Sequence, residues 1–257
     1  MGVTSSTSKK GMREVVPAWV YTVVVPPEYA SDHVSACAEG MTVVGPNSVQ
    51  RVNQSSLETD AFRWSRGFTS GKHTFEIHFP KELRGQCASV GVGLDSAALH
   101  SKGRVALVGN NKSSWGLDLC ARRTFHAGAM VKKYPQTQEF LPDKFYMYVD
   151  ADALQVQFGS DGQYYGTAIN GLPPGKPLYP MVSASYPGAV ITMYYRGQAN
   201  VVIVTPVPQQ PVVMAVPVFV PQPQPLPPPY TAGGPAVSAQ PPPASEAPPI
   251  EKKEQAI

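Results

Sequence analysis

Cys120 and His126 come nearest in this chain to a catalytic nucleophile and its base. A thiol and an imidazole this close in sequence could form such a pair, but nothing around them supplies a recognisable third group or an oxyanion hole. We therefore interpret them as a thiol at a strand end and an imidazole in a loop. No catalytic residue is predicted, and an enzyme built on the folded part of this chain is the weakest of three functional alternatives.

Metal-binding patterns are also weak. The five histidines show no ligand spacing with the three cysteines. Asp150 and Asp152 form a close carboxylate pair that would suit Ca²⁺ or acid–base chemistry, but a turn or a strand end between two hairpin strands explains them better. Trp64 and Trp115 are interpreted as core or strand-edge aromatics rather than ligand platforms, and Cys87 as a buried, inert thiol. No metal and no cofactor is predicted.

The composition divides the chain into a body and a tail. Sixteen of the 28 prolines lie from Pro206 onward, and the net charge of the whole chain is only +3. Such a small charge, with no run of Lys and Arg, gives no basic stripe for nucleic acid. We expect residues 1–14 to be a disordered start, residues 15–200 to fold, and residues 201–257 to form a disordered proline-rich tail.

The body has the patterning of β-strands. In residues 73–79, Phe75, Ile77 and Phe79 alternate with polar residues, which is the period of a half-buried strand. Residues 15–25 are also β-prone and are expected to add an edge strand or to lie across the body. Further strands are predicted at residues 87–94, 104–108, 145–149, 153–158, 163–169, 178–184 and 189–195, and residues 201–204 could form one more.

Turn residues separate these strands. Asp161-Gly162 tolerates the positive φ that a tight hairpin requires, and Pro173-Pro174-Gly175 and Pro187-Gly188 mark further turns. Strands recur about every 8–12 residues and no convincing helical period is present, so the pattern favours an all-β, antiparallel β-sandwich over βαβ units.

Several motifs occur in an order that resembles one known family. They are Arg66-Gly-Phe-Thr-Ser-Gly-Lys-His-Thr-Phe-Glu-Ile77, Val90-Gly-Val-Gly93, Ser114-Trp-Gly-Leu-Asp118, Asp161-Gly-Gln-Tyr-Tyr-Gly166 and Leu178-Tyr-Pro-Met-Val-Ser-Ala184. Together they resemble the SPRY domain, most closely that of the SOCS-box adaptor proteins, over residues 63–195. Part of the segment before residue 63 would be the family's less regular N-terminal strands.

The resemblance implies a concanavalin-like jelly-roll sandwich whose loops form a shallow pocket for short peptides of other proteins. In the adaptor subfamily that pocket reads an Asn-rich peptide, and a SOCS box recruits a ubiquitin ligase. We expect no SOCS box after Tyr195, only the tail. The residues that the resemblance assigns to the pocket are Gly85, Gln86, Arg104, Leu107, Asn110 and Tyr186.

Four of these positions depart from the family pattern. Arg104 stands in place of an aromatic residue, and Tyr186 in place of a tryptophan. Gln86 and Asn110 replace small hydroxylated residues. We expect the pocket's location to carry over but its peptide preference to change. Gln86 and Asn110 would bond to Asn-rich or backbone-displaying peptides, and Arg104 would prefer a carboxylate.

The two ends of the chain carry short docking signals. Leu226-Pro227-Pro228-Pro229-Tyr230 fits the P-P-x-Y ligand of WW domains, in which a preformed polyproline II strand fills an aromatic groove. Binding of a WW-bearing ubiquitin ligase could then replace the SOCS box. At the other end, Gly2 followed by Ser6 fits the N-myristoylation pattern. With Lys9 and Lys10, a single acyl chain would give weak, reversible membrane association.

These observations predict a protein–protein interaction adaptor rather than an enzyme. Its loop pocket would bind a peptide of one partner, and its tail would dock a second protein. The alternative is a lipid-anchored structural or cortical protein whose body self-associates. No signal peptide and no apolar run long enough for a membrane span are found, so we expect a cytoplasmic protein that could be peripheral to the membrane.

Overall fold

The computed structural model describes residues 15–199 except Ala36 and Gln138. Several predictions from sequence therefore lie outside the described residues: the myristoylation signal at Gly2, the strand at residues 201–204 and the docking motif that ends at Tyr230.

Strands make up most of the described body, with short 3-10 helices at Ala18–Tyr21, Pro27–Tyr29 and Lys81–Leu83. The strands are β1 (Val23–Val24), β2 (Val34–Ser35), β3 (Met41–Gly45), β4 (Ser48–Arg51), β5 (Thr59–Trp64), β6 (Lys72–His78), β7 (Ala88–Gly93), β8 (His100–Ser101), β9 (Ser114–Asp118), β10 (Arg123–His126), β11 (Ala129–Lys133), β12 (Lys144–Asp150), β13 (Gln155–Ser160), β14 (Gln163–Asn170), β15 (Tyr179–Ala184) and β16 (Val190–Ala199).

Within the described residues the strands form two antiparallel sheets. Sheet A has the order β14-β13-β12-β6-β16-β4-β3, and β1 pairs with β16 at the side of this path. Sheet B has the order β11-β10-β9-β7-β15-β5-β2, and β8 pairs with β5. The predicted all-β, antiparallel sandwich is confirmed.

The core lies between the two sheets and follows the period-two pattern. Phe75, Ile77 and Phe79 have no exposed surface, as their alternation in the sequence predicts. From sheet B, Val90 and Val92 of β7 join the same apolar cluster. Burying each large apolar side chain contributes about 1.5–3 kcal/mol, so this layer is the main source of stability.

The hairpin predicted at Asp161-Gly162 is present. β13 and β14 pair up to Ser160 and Gln163, and Gly162 has a φ of +80°. Glycine reaches this left-handed backbone conformation without a steric penalty, which is why the turn can be so short.

The strand predicted at residues 104–108 is wrong. These residues form a loop that crosses the outer face of sheet B, with Leu107 2% exposed. Two of the loop's backbone N–H groups donate to side chains instead of a neighbouring strand: Val105 to Thr59 Oγ1 (3.2 Å) and Val108 to Ser89 Oγ (3.0 Å). The apolar run therefore reflects burial against a sheet and not membership of one.

The segment at residues 15–25 both adds a strand to a sheet and lies across the body, the two alternatives expected from its sequence. Val23 and Val24 form the short strand β1 beside β16. Before it, the 3-10 helix places Trp19 edge-on to Tyr148 of β12, with ring centroids 5.9 Å apart. In residues 15–199, outside the two gaps, no helix has the length and apolar character needed to cross a membrane.

Candidate functional site

The loop before β7 and the loop after β15 meet at one end of sheet B. The Ser185 N–H and hydroxyl each donate to the carbonyl oxygen of Cys87 at 3.0 Å. Beside this contact, Gly85 has a φ of +59°, and a Cβ added there would lie 3.1 Å from the Cβ of Tyr186. Gly85 therefore allows both the backbone conformation and the close approach of Tyr186, which is 41% exposed.

Arg104 reaches this same end of the sheet from the loop that crosses it. Its guanidinium donates to the side-chain oxygen of Gln86, and both side chains are exposed. Thr59 of β5 holds the base of the loop, because its hydroxyl donates to the carbonyl of Gly103 and accepts from the Val105 N–H. The structure thus brings Gln86 and Arg104 into contact.

Leu107 and Asn110 lie farther along the same loop. Leu107 is buried in a small apolar cluster on sheet B with Ala61 and Met181, so it supports the loop from below. Asn110 is exposed and closes the turn that starts at Leu107, since its N–H donates to the Leu107 carbonyl at 3.1 Å. Of the six predicted pocket residues, the structure links Gly85 with Tyr186 and Gln86 with Arg104.

A buried arginine that the sequence analysis did not select supports this end of the sandwich. Arg51 is 0% exposed and pairs with Asp60 through Nε at 2.9 Å. Its Nη1 donates to the carbonyl of Ser185, the residue before Tyr186, also at 2.9 Å. The remaining donors bond to carbonyl groups of the neighbouring loop, namely those of Asn53, Ser55 and Glu58.

Asp60, the partner of Arg51, has two further hydrogen-bond partners. One carboxylate oxygen is 2.9 Å from His100 Nδ1, and the other accepts from Asn53 Nδ2 at 3.2 Å. When all the polar groups of a buried ion pair are hydrogen-bonded in this way, the pair orders the residues around it. The supporting role of Arg51 is visible only from its side-chain contacts with distant loops, since in the sequence it resembles any charged strand residue.

The thiols near the site are poor nucleophiles. Burial, followed by the charge of Asp118, raises the pKa of Cys120 to about 11 and raises the pKa of Cys87 as well. The Cys120 thiol donates weakly to the Gly85 carbonyl at 3.4 Å. Because the thiolate is the reactive form, both thiols are held in their unreactive state.

Cys120 and His126 do not form a pair. Cys120 lies in the turn between β9 and β10, whereas His126 ends β10 and pairs with Trp115. The His126 ring stacks on the Trp115 ring with centroids 4.5 Å apart, and its Nδ1 hydrogen-bonds to the Ser114 carbonyl. Cys120 thus lies just past a strand end, close to where the sequence placed it, whereas the loop position predicted for His126 is wrong, because this residue is the last of β10.

The carboxylates of Asp150 and Asp152 hold the end of β12 in place. Asp150 pairs with Lys72 and accepts the N–H of Ala153, while Asp152 accepts the N–H of Gly71. Across residues 15–199, with the two gaps excepted, no group of three or more His, Cys, Asp or Glu side chains is arranged to hold a metal ion.

Comparison with known proteins agrees with this fold. The family model for the SPRY domain matches residues 72–198. Human SPRY domain-containing SOCS box protein 1 is 43% identical over 144 residues, which is 53% of this chain and 52% of that protein. F-box/SPRY domain-containing protein 1 of Drosophila virilis is 31% identical over 196 residues, which is 75% of this chain and 72% of that protein.

Among solved structures, the SPRY domain of human HERC1 is 17% identical, with a TM-score of 0.46, and the match covers 63% of this chain and 94% of that one. The match to the SOCS box protein extends over about half of that relative's length. The names of the two curated relatives describe SPRY, SOCS box and F-box domains and state no reaction.

Proposed function

We propose, since the chain belongs to the SPRY domain family, that its body is a peptide-binding module and that its proline-rich tail docks a second protein. The observation that carries the proposed peptide binding is that three loops meet at one rim of sheet B. There Gly85 approaches Tyr186, and Arg104 donates a hydrogen bond to Gln86. Recognition groups commonly sit on loops of a rigid scaffold.

The chemistry of this rim favours an extended peptide with an acidic or carboxamide side chain. Arg104 presents a fork of donors that matches a carboxylate, and Gln86 offers both a donor and an acceptor. Tyr186 supplies an exposed aromatic face, and Tyr and Arg are frequent interface hot spots. Beneath them, Arg51 fixes the Ser185 backbone, so the rim is ordered before a partner arrives.

The tail would provide the second contact through Pro227, Pro228 and Tyr230. Joining two modest contacts on one chain raises the effective concentration to about the mM range, which allows a scaffold to act without catalysis. A WW-bearing ubiquitin ligase would suit this arrangement, since names of the relatives include SOCS box and F-box domains.

Affinity proteomics on the full chain tests the rim. The recovered amount of each protein that binds the body should be at least tenfold lower for Arg104→Glu/Tyr186→Ala than for wild type. The control is Lys176→Glu/Tyr194→Ala, which changes the same kinds of charge and ring at exposed positions. Lys176 precedes β15, whereas Tyr186 follows it, and Tyr194 lies on β16 of sheet A, so both control residues are away from the rim. Equal partner lists for the two double variants would refute a binding role for the rim.

A further inference from the structure

The region of sheet B around the edge strand β11 is strongly basic. Residues 96–138, which supply β8 to β11, contain seven Lys or Arg residues and one acidic residue, Asp118. This segment therefore carries a charge of +6, whereas the chain as a whole carries +3, so all other residues together carry −3. The small net charge of the chain thus conceals a local excess of positive charge. The seven cations are Lys102, Arg104, Lys112, Arg122, Arg123, Lys132 and Lys133.

Two of these cations lie directly opposite each other at one end of the β10–β11 hairpin. Arg123 of β10 pairs with Lys133 of β11, and both side chains are exposed. Like charges in this position repel each other and destabilise a sheet. Asp118 lies across from Arg123 on β9, but its Oδ1 accepts from the N–H groups of Cys120 and Ala121. Among the described residues, neither Arg123 nor Lys133 forms a salt bridge that would offset the repulsion.

A third cation lies at the opposite end of the hairpin. The hairpin tip is tied to the loop before β9, because the Ala127 N–H donates to the Asn111 carbonyl at 3.2 Å and the Gly128 N–H to the Gly109 carbonyl at 3.0 Å. Lys112 follows Asn111 in this loop and is exposed. The hairpin therefore has exposed positive charge at both of its ends.

Exposed apolar side chains lie between these cations. Met130 and Val131 of β11 are 51% and 63% exposed, and Ala129 before them is exposed as well. At about 3.4 Å per residue, all three lie within about 14 Å of Lys133 along the strand. A contiguous apolar patch bordered by polar residues is typical of an interaction site. We call the following residues the β11 edge patch: Lys112, Arg123, Ala129, Met130, Val131 and Lys133.

The edge of β11 is protected against the addition of another strand. Lysines on an edge strand and β-bulges are two of the devices that prevent such pairing. β11 ends in Lys132 and Lys133, and its register with β10 shifts between Thr124 and Phe125. Lys132 also extends to sheet A, where its Nζ donates to the Thr167 carbonyl at 2.6 Å. A partner that adds a β-strand therefore fits this edge poorly.

We infer that the β11 edge patch binds the surface of an anionic phospholipid bilayer. The apolar side chains would enter the boundary between headgroups and acyl chains, while the cations at both ends attract the lipid phosphates. Lys and Arg suit this position, because their aliphatic stems lie along apolar surface and their charges stay in water. The binding requires neither a lipid on Gly2 nor a peptide at the rim of sheet B.

Co-sedimentation of the full chain with vesicles tests the inference. All chains carry Gly2→Ala, so that no acyl group contributes. Vesicles of phosphatidylcholine with about 30% phosphatidylserine should bind at least tenfold more tightly than vesicles of phosphatidylcholine alone. Raising the salt from about 0.1 M to about 0.5 M should weaken the binding, because salt screens the charges. No binding to the anionic vesicles, or equal binding to both kinds, would overturn the inference.

Charge reversals at the hairpin locate the site. Arg123→Glu/Lys133→Glu should weaken binding to the anionic vesicles at least tenfold, and it keeps like charges opposite each other, so the fold should tolerate it. If urea unfolding shows that it does not, Arg123→Gln/Lys133→Gln takes its place. The control Lys102→Glu/Lys176→Glu changes the net charge equally at exposed positions, beside β8 and before β15, and should weaken binding less than threefold. Equal losses would mean attraction to net charge alone and would overturn the inference.

Apolar replacements test the contact with the acyl boundary at constant net charge. Met130→Ser/Val131→Ser should weaken binding to the anionic vesicles at least fivefold. The control is Val43→Ser/Val44→Ser on β3, the edge strand of sheet A, where the side chains are 47% and 54% exposed. It should leave binding unchanged, because residues 41–50 contain no charged residue to attract lipid. Equal binding by the two double variants would overturn the inference.

Soluble polyanions distinguish a bilayer from an acidic protein or a nucleic acid. A poly-Glu peptide and a single-stranded oligonucleotide carry negative charge but offer no apolar layer. We expect the chain to bind each of them at least tenfold more weakly than the anionic vesicles. If either polymer binds through Arg123 and Lys133 as tightly as the vesicles do, the patch is a general anion site and the inference is overturned.

Discussion

Replacement of Arg51 by Met should be among the most damaging single changes in the body. The guanidinium is fully buried, and its donors reach one carboxylate and four backbone carbonyl groups. Met replaces the aliphatic part of the side chain but ends about two bonds short of the guanidinium nitrogens. The change therefore removes the charge and the donors and leaves a small void where the Nη atoms were.

The expected cost follows from what is left behind. Asp60 is also 0% exposed, and without Arg51 its carboxylate would keep the hydrogen bonds with His100 Nδ1 and Asn53 Nδ2 but lose the buried guanidinium. Removing one partner of a buried ion pair costs about 3–5 kcal/mol. The free energy of unfolding of a whole domain is about 5–15 kcal/mol. At a urea m-value of about 2 kcal/mol per M, the midpoint of unfolding should fall by about 2 M.

Urea unfolding followed by tryptophan fluorescence measures this loss. Arg196→Met is the control, since Arg196 also pairs with a carboxylate, that of Glu76, but has a side chain that is 48% exposed. Exposed pairs contribute about 0–1 kcal/mol, so its midpoint should change by less than about 0.5 M. In Arg51→Met/Asp60→Asn no uncompensated buried charge remains, and about half of the lost stability should return. A cost below about 1 kcal/mol for Arg51→Met, or a double variant no better than the single one, would refute the reasoning.

Three further predictions concern the thiol and the two ends of the chain. The pKa of Cys120 is about 11, against 9.0 for an ordinary thiol, so at pH 7.5 its alkylation should be about 100-fold slower in the folded protein than in the protein unfolded by urea. The rate in the folded protein should rise up to pH 11. Equal rates for the folded and unfolded protein, measured by mass spectrometry, would contradict this. Tyr230→Ala should abolish capture of WW domains by the full chain while Tyr186→Ala preserves it, and a pulldown that shows no difference would remove the tail motif. Co-expression with an N-myristoyltransferase should add one myristoyl group at Gly2 and none in Gly2→Ala; an unmodified glycine would dispose of the lipid-anchored alternative.

Much of the sandwich could be predicted because strand patterning is local. The alternation of Phe75, Ile77 and Phe79 identifies the face of β6 that enters the apolar core, whatever its partners are. The Asp161-Gly162 turn depends on two residues and their backbone preferences. Residues 104–108 show where this reasoning stops. Their apolar run means burial, and only the positions of Thr59 and Ser89 determine that the burial occurs in a loop.

The candidate site also has a part that could be predicted from the sequence and a part that could not. Motif resemblance located Gln86, Arg104 and Tyr186 on loops, and the structure places their loops at one rim of sheet B. The resemblance did not distinguish the buried Leu107 from these exposed side chains. It also gave no sign that Tyr146 and Tyr148 of β12 and Tyr164 of β14 line one cleft on sheet A.

The sequence by itself determined the fold class and the core-facing sides of the strands, because side-chain alternation acts over a few neighbouring residues. The tertiary structure alone decided that Arg51 supports the backbone before Tyr186, across 134 positions of the chain. Such contacts depend on the order of strands in the sheets. That order follows from how all the strands bury their apolar faces together, which no single segment encodes.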